Sequence, residues 1–145
     1  VLKVGNWVGP VLVAAAEAGV RELLLLGYHG KLIKLAGGIF HTHHHLADGR
    51  LEVLVALGLD AGLSTAELLQ CRRAASVEEA FQELDTDQAR ALGQHLAAMV
   101  ELRSQFYVSR YGAWSMRIGA VLFDRSRTLR WWGPEGEKRF FTLRD

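Results

Sequence analysis

The chain has 145 residues, of which 50% are hydrophobic and 23% are charged. This composition predicts one globular domain with enough apolar side chains for a core. The formal charge of +1 gives no general attraction to nucleic acid or to an acidic membrane surface. No apolar run approaches the ~20 residues of a membrane-spanning helix. We therefore expect neither nucleic acid nor a membrane as a partner, while assembly into a homo-oligomer stays open.

Cysteine usage points to a reducing compartment. Cys71 is the single cysteine, so no internal disulfide can form, and we expect a cytoplasmic protein with Cys71 in a structural role. The chain starts at Val1, inside what reads as the end of a strand. We expect residues 1–145 to form a single α/β domain that is the carboxy-terminal fragment of a longer chain.

The first elements alternate between strand and helix. Residues 1–4 read as a strand end and residues 5–9 as a turn. Pro10 suits the first turn of a helix, and Gly19 suits its end. Residues 23–26 are apolar on both faces, which predicts a strand in a parallel sheet that is covered on both sides.

A helical period follows from Lys31 to residue 46, and His43 continues its apolar stripe. Gly37 and Gly38 interrupt this predicted helix, and each costs about 1 kcal/mol relative to alanine. Close packing of a neighbouring backbone, or a ligand on that surface, would offset the cost.

The middle of the chain is predicted to be helical. Ser64 or Thr65 suits a helix N-cap, residues 76–79 match a capping box, and residues 85–107 read mostly as one long helix. We expect the acidic residues in the middle of the chain to form a solvated face: Glu78, Glu79, Glu83, Asp85 and Asp87.

The carboxy-terminal part reads as strands at residues 116–123, 128–132 and 138–143, separated by turns. The predicted fold is therefore α/β. It has a small, mostly parallel sheet flanked by helices, a helical middle, and a carboxy-terminal antiparallel strand pair at the sheet edge.

Two glycine-containing turns, at residues 5–9 and 27–31, connect a predicted strand to a predicted helix. Helix N-termini offer free N–H groups to an anion, and glycines let a ligand approach the backbone. A tight turn without a ligand is the alternative at both places. The spacing G-x-G-x-x-G is absent, and Leu32 stands where a phosphate loop needs a hydroxyl, so a nucleotide triphosphatase is not expected.

Four of the six histidines lie in residues 41–45. His41 and His45 are four residues apart and could bind a metal from one helix face, with Asp48 as the only near third ligand. H-E-x-x-H is absent, and we expect no dedicated metal site. His43 is expected to be packed and hydrogen-bonded.

Several stretches resemble the CbiD family of cobalt-precorrin-5B (C-1)-methyltransferases, in its carboxy-terminal portion. They are residues 3–9, 30–43, 47–50 and 121–124. The family's usual turn, Gly-His-Pro-Gly, is here Gly27-Tyr28-His29-Gly30. Its histidine is displaced by one position, so the resemblance assigns no role to His29.

The resemblance implies transfer of a methyl group from S-adenosyl-L-methionine to a ring carbon of a cobalt-precorrin tetrapyrrole in cobalamin biosynthesis. Such a substrate is flat and rimmed with carboxylates, which suits lysines and helix N-termini. Two other functions stay open: a non-catalytic tetrapyrrole- or polycarboxylate-binding domain, and a hydrolase with a histidine-bound metal. The expected site residues are Gly5, Asn6, Gly9, Gly27 and Gly30 for the cofactor, Lys31, Lys34, Thr42 and His45 for the substrate, and His43 as a group that assists proton removal.

Overall fold

A computed structural model describes residues 1–43 and 48–142, with side chains up to residue 140. Three strands and seven helices occur in this part of the chain, which confirms the α/β class. The strands are β1 (Glu22–Tyr28), β2 (Arg117–Phe123) and β3 (Leu129–Trp132). The helices are α1 (Val8–Glu17), α2 (His29–Ala36), α3 (Arg50–Asp60), α4 (Thr65–Arg73), α5 (Val77–Glu83), α6 (Thr86–Ser109) and α7 (Pro134–Thr142).

The strands form one sheet in the order β1-β2-β3. β1 and β2 are parallel, in a register that runs from Glu22 opposite Arg117 to Tyr28 opposite Phe123. β2 and β3 are antiparallel. The predicted carboxy-terminal antiparallel pair at the sheet edge is thus confirmed, and the two parallel strands end at the same edge.

The prediction that β1 is covered on both faces is only half right. Side chains alternate across a strand, and Leu23 and Leu25 pack against the core. Leu26, on the opposite face, is 57% exposed. In the described part of the chain β1 pairs only with β2, so it forms an edge of the sheet.

Two helix boundaries lie where the sequence predicts them. Gly19 has a φ of +84° just past the end of α1, a conformation that glycine adopts without strain. Ser64 is the N-cap of α4 and forms a full capping box with Glu67.

The helix predicted for residues 31–46 is wrong at both ends. α2 begins at His29 and ends at Ala36, because the double glycine terminates it. Gly38 has a φ of +80°, its N–H donates to the carbonyl of Leu35, and the N–H of Ile39 donates to the carbonyl of Lys34. This is the Schellman pattern of a helix end. Gly37 and Gly38 therefore lie outside the helix, and no cost of interior glycines has to be offset.

Two predicted strands are also wrong. Residues 1–4 have no strand pairing. Residues 138–142 belong to α7, which begins at Pro134 with Glu135 and Glu137 in its first turn. Proline at the start of a helix and acidic residues in its first turn both favour helix over strand.

The core is built around α6, the 24-residue helix that the sequence predicts as the longest. α6 contacts α2, β2 and β3, and Leu92, Leu96 and Val100 on it are fully buried. Trp131 of β3 packs so closely over Gly93 that a Cβ there would overlap the indole ring. Cys71 is also fully buried, which fits its predicted structural role.

One buried carboxylate holds α6, β2 and α7 together. Oε1 of Glu101 accepts hydrogen bonds from the N–H of Ala120 at 3.0 Å and of Gly136 at 2.6 Å. Oε2 accepts from the N–H of Glu135 at 3.1 Å. Burial raises the pKa of Glu101, although the three N–H groups lower it in part. This carboxylate satisfies the N-terminal N–H groups of α7 that would otherwise be buried without a partner.

In the ranges that the structure describes, no helix has both the length and the apolarity to cross a membrane.

Candidate functional site

The candidate site lies where the two parallel strands end. β1 ends at Tyr28 and β2 ends opposite it at Phe123. α2 begins immediately at His29, and its N-cap residue Tyr28 makes no side-chain capping bond. Ligands of open α/β sheets bind at the carboxyl ends of the parallel strands, and a helix N-terminus there favours an anion.

His29 forms a buried pair with Glu78 at this edge. The His29 side chain is 2% exposed, and its Nε2 lies 2.5 Å from Oε2 of Glu78. The ring stacks on Phe81 at a centroid distance of 5.1 Å. Among the described residues nothing forms a hydrogen bond with Nδ1 of His29. Glu78 is 9% exposed, so its predicted place on a solvated face is wrong.

Glu78 also interacts with Tyr28 and Arg125. The other oxygen of Glu78 accepts from the backbone N–H of Arg125 at 3.4 Å. Burial raises the pKa of Tyr28, the Glu78 carboxylate raises it further, and Arg125 lowers it in part. The edge of the sheet thus carries a carboxylate that contacts His29, Tyr28 and Arg125.

A cleft of about 770 Å³ opens beside this pair, a volume within the range of small-molecule sites. We call it the His29 cleft. Trp131 has a buried Nε1 with no hydrogen-bond partner in the described chain. The guanidinium of Arg130 lies 4.9 Å from the ring centroid of Trp131 and 3.4 Å from Asp124. The residues that line the His29 cleft include His29, Glu78, Phe81, Asp124, Arg130 and Trp131.

A second cluster joins three of the residues that the sequence singles out. The buried ammonium of Lys34 donates to the carbonyl of Thr42 at 3.0 Å. The hydroxyl of Thr42 donates to Oδ1 of Asn6 at 3.2 Å, and the N–H of Thr42 donates to the carbonyl of Asn6. The segment after α2 is therefore fastened both to α2 and to the turn at residues 5–9.

We expect replacement of Thr42 by valine to lower the free energy of unfolding by about 1 kcal/mol, because it removes one part-buried hydrogen bond. Asn6→Ala should add little to this loss, since both substitutions remove the same bond. Urea unfolding of the two single variants and the double variant measures the coupling. Thr65→Val, the same change at an exposed position, is the control. Fully additive losses would contradict the interaction.

The five glycine and asparagine residues predicted for the cofactor have different surroundings. The N–H of Gly9 donates to the carbonyl of Phe40, and a Cβ at Gly9 would overlap Tyr107. One of the few N–H groups at the α1 terminus is thus already occupied, and Pro10 has none. Gly5 has open space around it.

Gly27 and Gly30 lie at the carboxyl edge itself. A Cβ at Gly27 would meet the end of the Leu32 side chain at 2.8 Å, and a Cβ at Gly30 would overlap the ring of Tyr28. Both glycines therefore allow the strand-to-helix turn to pack tightly, and they keep the backbone of the first turn of α2 close to the edge.

Positive charge collects beside α2. Burial lowers the pKa of Lys34, and the charges of Arg50 and Lys31 lower it further, whereas Asp48 raises it. Lys31 is exposed. Arg50 binds Asp48 through two nitrogens, at 2.7 and 3.2 Å, which holds the pKa of Asp48 below its ordinary value. Lys31, Lys34 and Arg50 thus make a cationic group with one carboxylate among them.

Residues 41–43, the described part of the histidine-rich segment, are not helical. His41 is in edge contact with Trp7, with ring centroids 4.7 Å apart, and His43 is half-buried. His45 lies outside the described residues. Within residues 1–43 and 48–142, no three His, Cys, Asp or Glu side chains come together to hold a metal ion.

Similarity to known proteins adds the family. The description "CbiD, C-terminal domain" matches residues 41–134, which is more than half of the chain. The chain belongs to the CbiD family. The CbiD match covers β2, β3 and Glu78. Similarity to an individual relative extends over the entire chain.

Curated relatives of the chain carry the name cobalt-precorrin-5B C(1)-methyltransferase. The relative from Synechococcus sp. (strain CC9605) is 92% identical over 100% of this chain and 39% of its own length. The relative from Parasynechococcus marenigrum (strain WH8102) is 76% identical over 99% of this chain and 41% of its own length. The relative from Prochlorococcus marinus (strain MIT 9303) is 60% identical over 98% of this chain and 38% of its own length. The chain thus spans about two fifths of the length of these relatives. No solved structure matches it.

Burial of His29 has a measurable consequence for pH dependence. Burial lowers its pKa, although Glu78 raises it in part. Below the unfolded pKa of about 6.5, the unfolded chain takes up a proton that folded His29 does not. We therefore expect stability to fall as the pH drops from the unfolded pKa towards the lower folded pKa.

Urea unfolding between pH 7.5 and pH 5.5 measures this effect as the difference between the wild-type chain and His29→Gln. The slope that His29 contributes cannot exceed about 1.4 kcal/mol per pH unit. His95→Gln removes a histidine that pairs with Asp60 at the surface, and it is the control. Identical pH slopes for the wild-type chain and His29→Gln would contradict the burial argument.

Proposed function

We propose that this chain is part of a methyltransferase that transfers the methyl group of S-adenosyl-L-methionine to a ring carbon of cobalt-precorrin-5B in cobalamin biosynthesis. The observation that carries the proposal is membership of the CbiD family, together with relatives that are named for this reaction and cover the whole chain. The cleft at the carboxyl edge of the parallel pair supports it, because this is where an α/β sheet binds its ligands.

The macrocycle is held through its carboxylate rim in this proposal. Lys31 is exposed at the first turn of α2 and makes the direct contact. Lys34 already donates to the Thr42 carbonyl, so it acts mainly through its charge, and Arg50 adds a guanidinium beside it. Thr42 flanks the substrate from the segment after α2, with His43 on the same segment. His45, the other residue expected to bind the substrate, stays a prediction.

The methyl donor belongs at the turn that contains Gly27 and Gly30. When bound, S-adenosyl-L-methionine supplies an electrophilic methyl group on a sulfonium centre. Three features fit it: the uncapped N–H groups of α2, the carboxylates of Glu78 and Asp124 for a cation, and the unpartnered N–H of Trp131. The turn with Gly5, Asn6 and Gly9 fits less well, because Phe40 occupies the N–H of Gly9.

Methyl transfer between a sulfonium and a carbon needs alignment of the two reactants and exclusion of water, rather than a protein nucleophile. Phe81 and Trp131 are buried apolar walls of the cleft that exclude water. This requirement is consistent with a site that has aromatic walls and fixed charges.

The second candidate is a tetrapyrrole-binding domain without catalysis of its own. The length of the relatives supports this candidate. About three fifths of each relative lies outside the match, and the groups that carry out the reaction would lie there. A histidine-metal hydrolase has no supporting cluster in the described residues.

Turnover by the full-length protein separates the two candidates. The protein is incubated with cobalt-precorrin-5B and S-adenosyl-L-methionine, and S-adenosylhomocysteine is quantified by mass spectrometry. We expect one equivalent per macrocycle, and we expect Lys31→Ala to raise the KM for the macrocycle with little change in kcat. Tight retention of the macrocycle with no S-adenosylhomocysteine would favour the binding domain and overturn the methyltransferase.

A further inference from the structure

The buried pair of His29 and Glu78 carries a role that neither the family name nor the sequence motifs assign. We infer that His29 is the proton acceptor of the site, acting through Nδ1, and that Glu78 is its positioning residue. This inference rests on the proposed methyl transfer. It replaces His43 as the group that assists proton removal.

The hydrogen bond between the two side chains fixes the tautomer. An ionised carboxylate only accepts hydrogen bonds, so we assign the proton to the Nε2 that lies 2.5 Å from Oε2 of Glu78. In neutral His29 the lone pair is then on Nδ1. Nδ1 is buried and has no hydrogen-bond partner among the described residues. A base that is oriented by a carboxylate and keeps its other ring nitrogen available is the arrangement that general bases use.

Packing fixes the orientation of the imidazole. The ring is stacked on Phe81 at an interplanar angle of 14°, and Tyr28 contacts it at a centroid distance of 5.0 Å. His29 lines the cleft but is 2% exposed, so bulk water hardly reaches it. His29 is one of the residues that line the cleft of about 770 Å³, and its unpartnered Nδ1 is buried.

Burial keeps His29 neutral before reaction, although the nearby carboxylates oppose it. Burial lowers its pKa, Glu78 and Asp124 raise it, and Arg130 lowers it. Tyr28, the other titratable neighbour, has a raised pKa and stays protonated at neutral pH. An imidazole that is neutral near pH 7 is able to accept a proton, and the same carboxylates stabilise the imidazolium that forms.

The proposed reaction releases one proton, so it needs a proton acceptor. The macrocycle gains a methyl cation at its ring carbon and gives up one proton, and Nδ1 of His29 takes up that proton. The sulfonium, the macrocycle and a neutral imidazole thus become a thioether, a methylated macrocycle and an imidazolium, with the total charge unchanged.

The test uses single-turnover rates of the full-length protein with cobalt-precorrin-5B and S-adenosyl-L-methionine. We expect His29→Gln to lower the rate by about 100-fold or more. Macrocycle affinity, followed by quenching of tryptophan fluorescence, should stay within about threefold, because base removal affects the chemical step. The wild-type rate should fall as the pH drops through the pKa of His29.

Glu78→Gln is a second test variant, in which His29 itself is not replaced. Because the Glu78 carboxylate raises the pKa of His29, its removal should move the acid limb of the rate to lower pH and reduce the plateau. His95→Gln, which breaks a comparable but surface-exposed pair with Asp60 at 3.2 Å, should leave the rate and the pH profile unchanged.

A readout without turnover separates this inference from the proposed function. Long-range ¹H–¹⁵N spectra of the free protein, with His29 assigned from the His29→Gln variant, should show a protonated Nε2 and an unprotonated Nδ1 at pH 7.5. Absence of methyl transfer by the wild-type protein would overturn the proposed function and with it the proton step, whatever the tautomer. Normal turnover by wild type with a His29→Gln rate within threefold, or with Nδ1 protonated, would overturn the role of His29 alone.

Discussion

Replacement of Glu101 by alanine is expected to lower the free energy of unfolding by about 3 kcal/mol. The substitution removes the acceptor of three buried or part-buried backbone N–H groups, on Ala120, Glu135 and Gly136. A buried donor that loses its partner costs about 1–3 kcal/mol. Relief from burying the carboxylate offsets part of this loss, since burial raises the pKa of Glu101. Chemical denaturation followed by circular dichroism measures the change.

Glu101→Gln is the matched variant. Its one carbonyl oxygen can keep the bonds to Ala120 and Gly136, whereas its NH₂ group faces the N–H of Glu135. We therefore expect a smaller loss, of about 1–2 kcal/mol. A Glu101→Ala variant as stable as the wild-type chain would show that this carboxylate does not hold α7 to β2.

Replacement of Gly136 by alanine is expected to destabilise the chain by about 3 kcal/mol or to detach α7 from the sheet. A Cβ at this position would overlap the carbonyl oxygen of Ala120 and lie 2.8 Å from the carbonyl carbon. The neighbouring atoms are backbone, so they cannot move away as a side chain can. Helix propensity alone predicts the opposite sign, because alanine is favoured over glycine by about 1 kcal/mol in a helix.

Gly58→Ala is the control for this prediction. Gly58 is also buried in a helix, but its Cβ would meet only the ends of the Leu68 and Leu63 side chains, at 2.9 and 3.3 Å. We expect a change within about 1 kcal/mol. Thermal unfolding of both variants is sufficient, and a stabilised Gly136→Ala variant would contradict the close approach of α7 to β2.

The order of the elements was largely predictable because local signals set it. Ser64 caps α4 and Gly19 ends α1 through hydrogen bonds and backbone angles that involve only neighbouring residues. The apolar runs at β1 and β2 likewise predict strands. The parallel pairing of β1 with β2 is a finding of the structure, because the predicted alternation of strand and helix began with residues 1–4. Such signals need no knowledge of tertiary contacts.

The predictions failed where two local signals competed. The apolar period continued past Gly37 and Gly38, but the left-handed conformation of Gly38 ended α2 after Ala36. In the last element, the apolar residues suggested a strand, whereas Pro134 and the acidic first turn favoured the helix that forms. Helix-end chemistry outweighed hydrophobic periodicity in both cases.

The candidate site was only partly predictable, because its main pair is not local. Asn6, Lys34 and Thr42, which the family pattern singles out, do come together. Glu78 stands 49 residues from His29, and its place in the first turn of a short helix favours a solvent-exposed side chain. The position of His29 at the junction of strand and helix was the one available signal for it.

Transfer of an isotope-labelled methyl group tests the proposed reaction. The full-length protein is incubated with cobalt-precorrin-5B and S-adenosyl-L-methionine that carries a ¹³C-labelled methyl group, and the macrocycle is isolated and examined by mass spectrometry and ¹³C spectroscopy. We expect one new labelled methyl group bonded to a ring carbon, and its near-complete loss in His29→Gln under single-turnover conditions. A macrocycle that is bound and recovered without any label would contradict it.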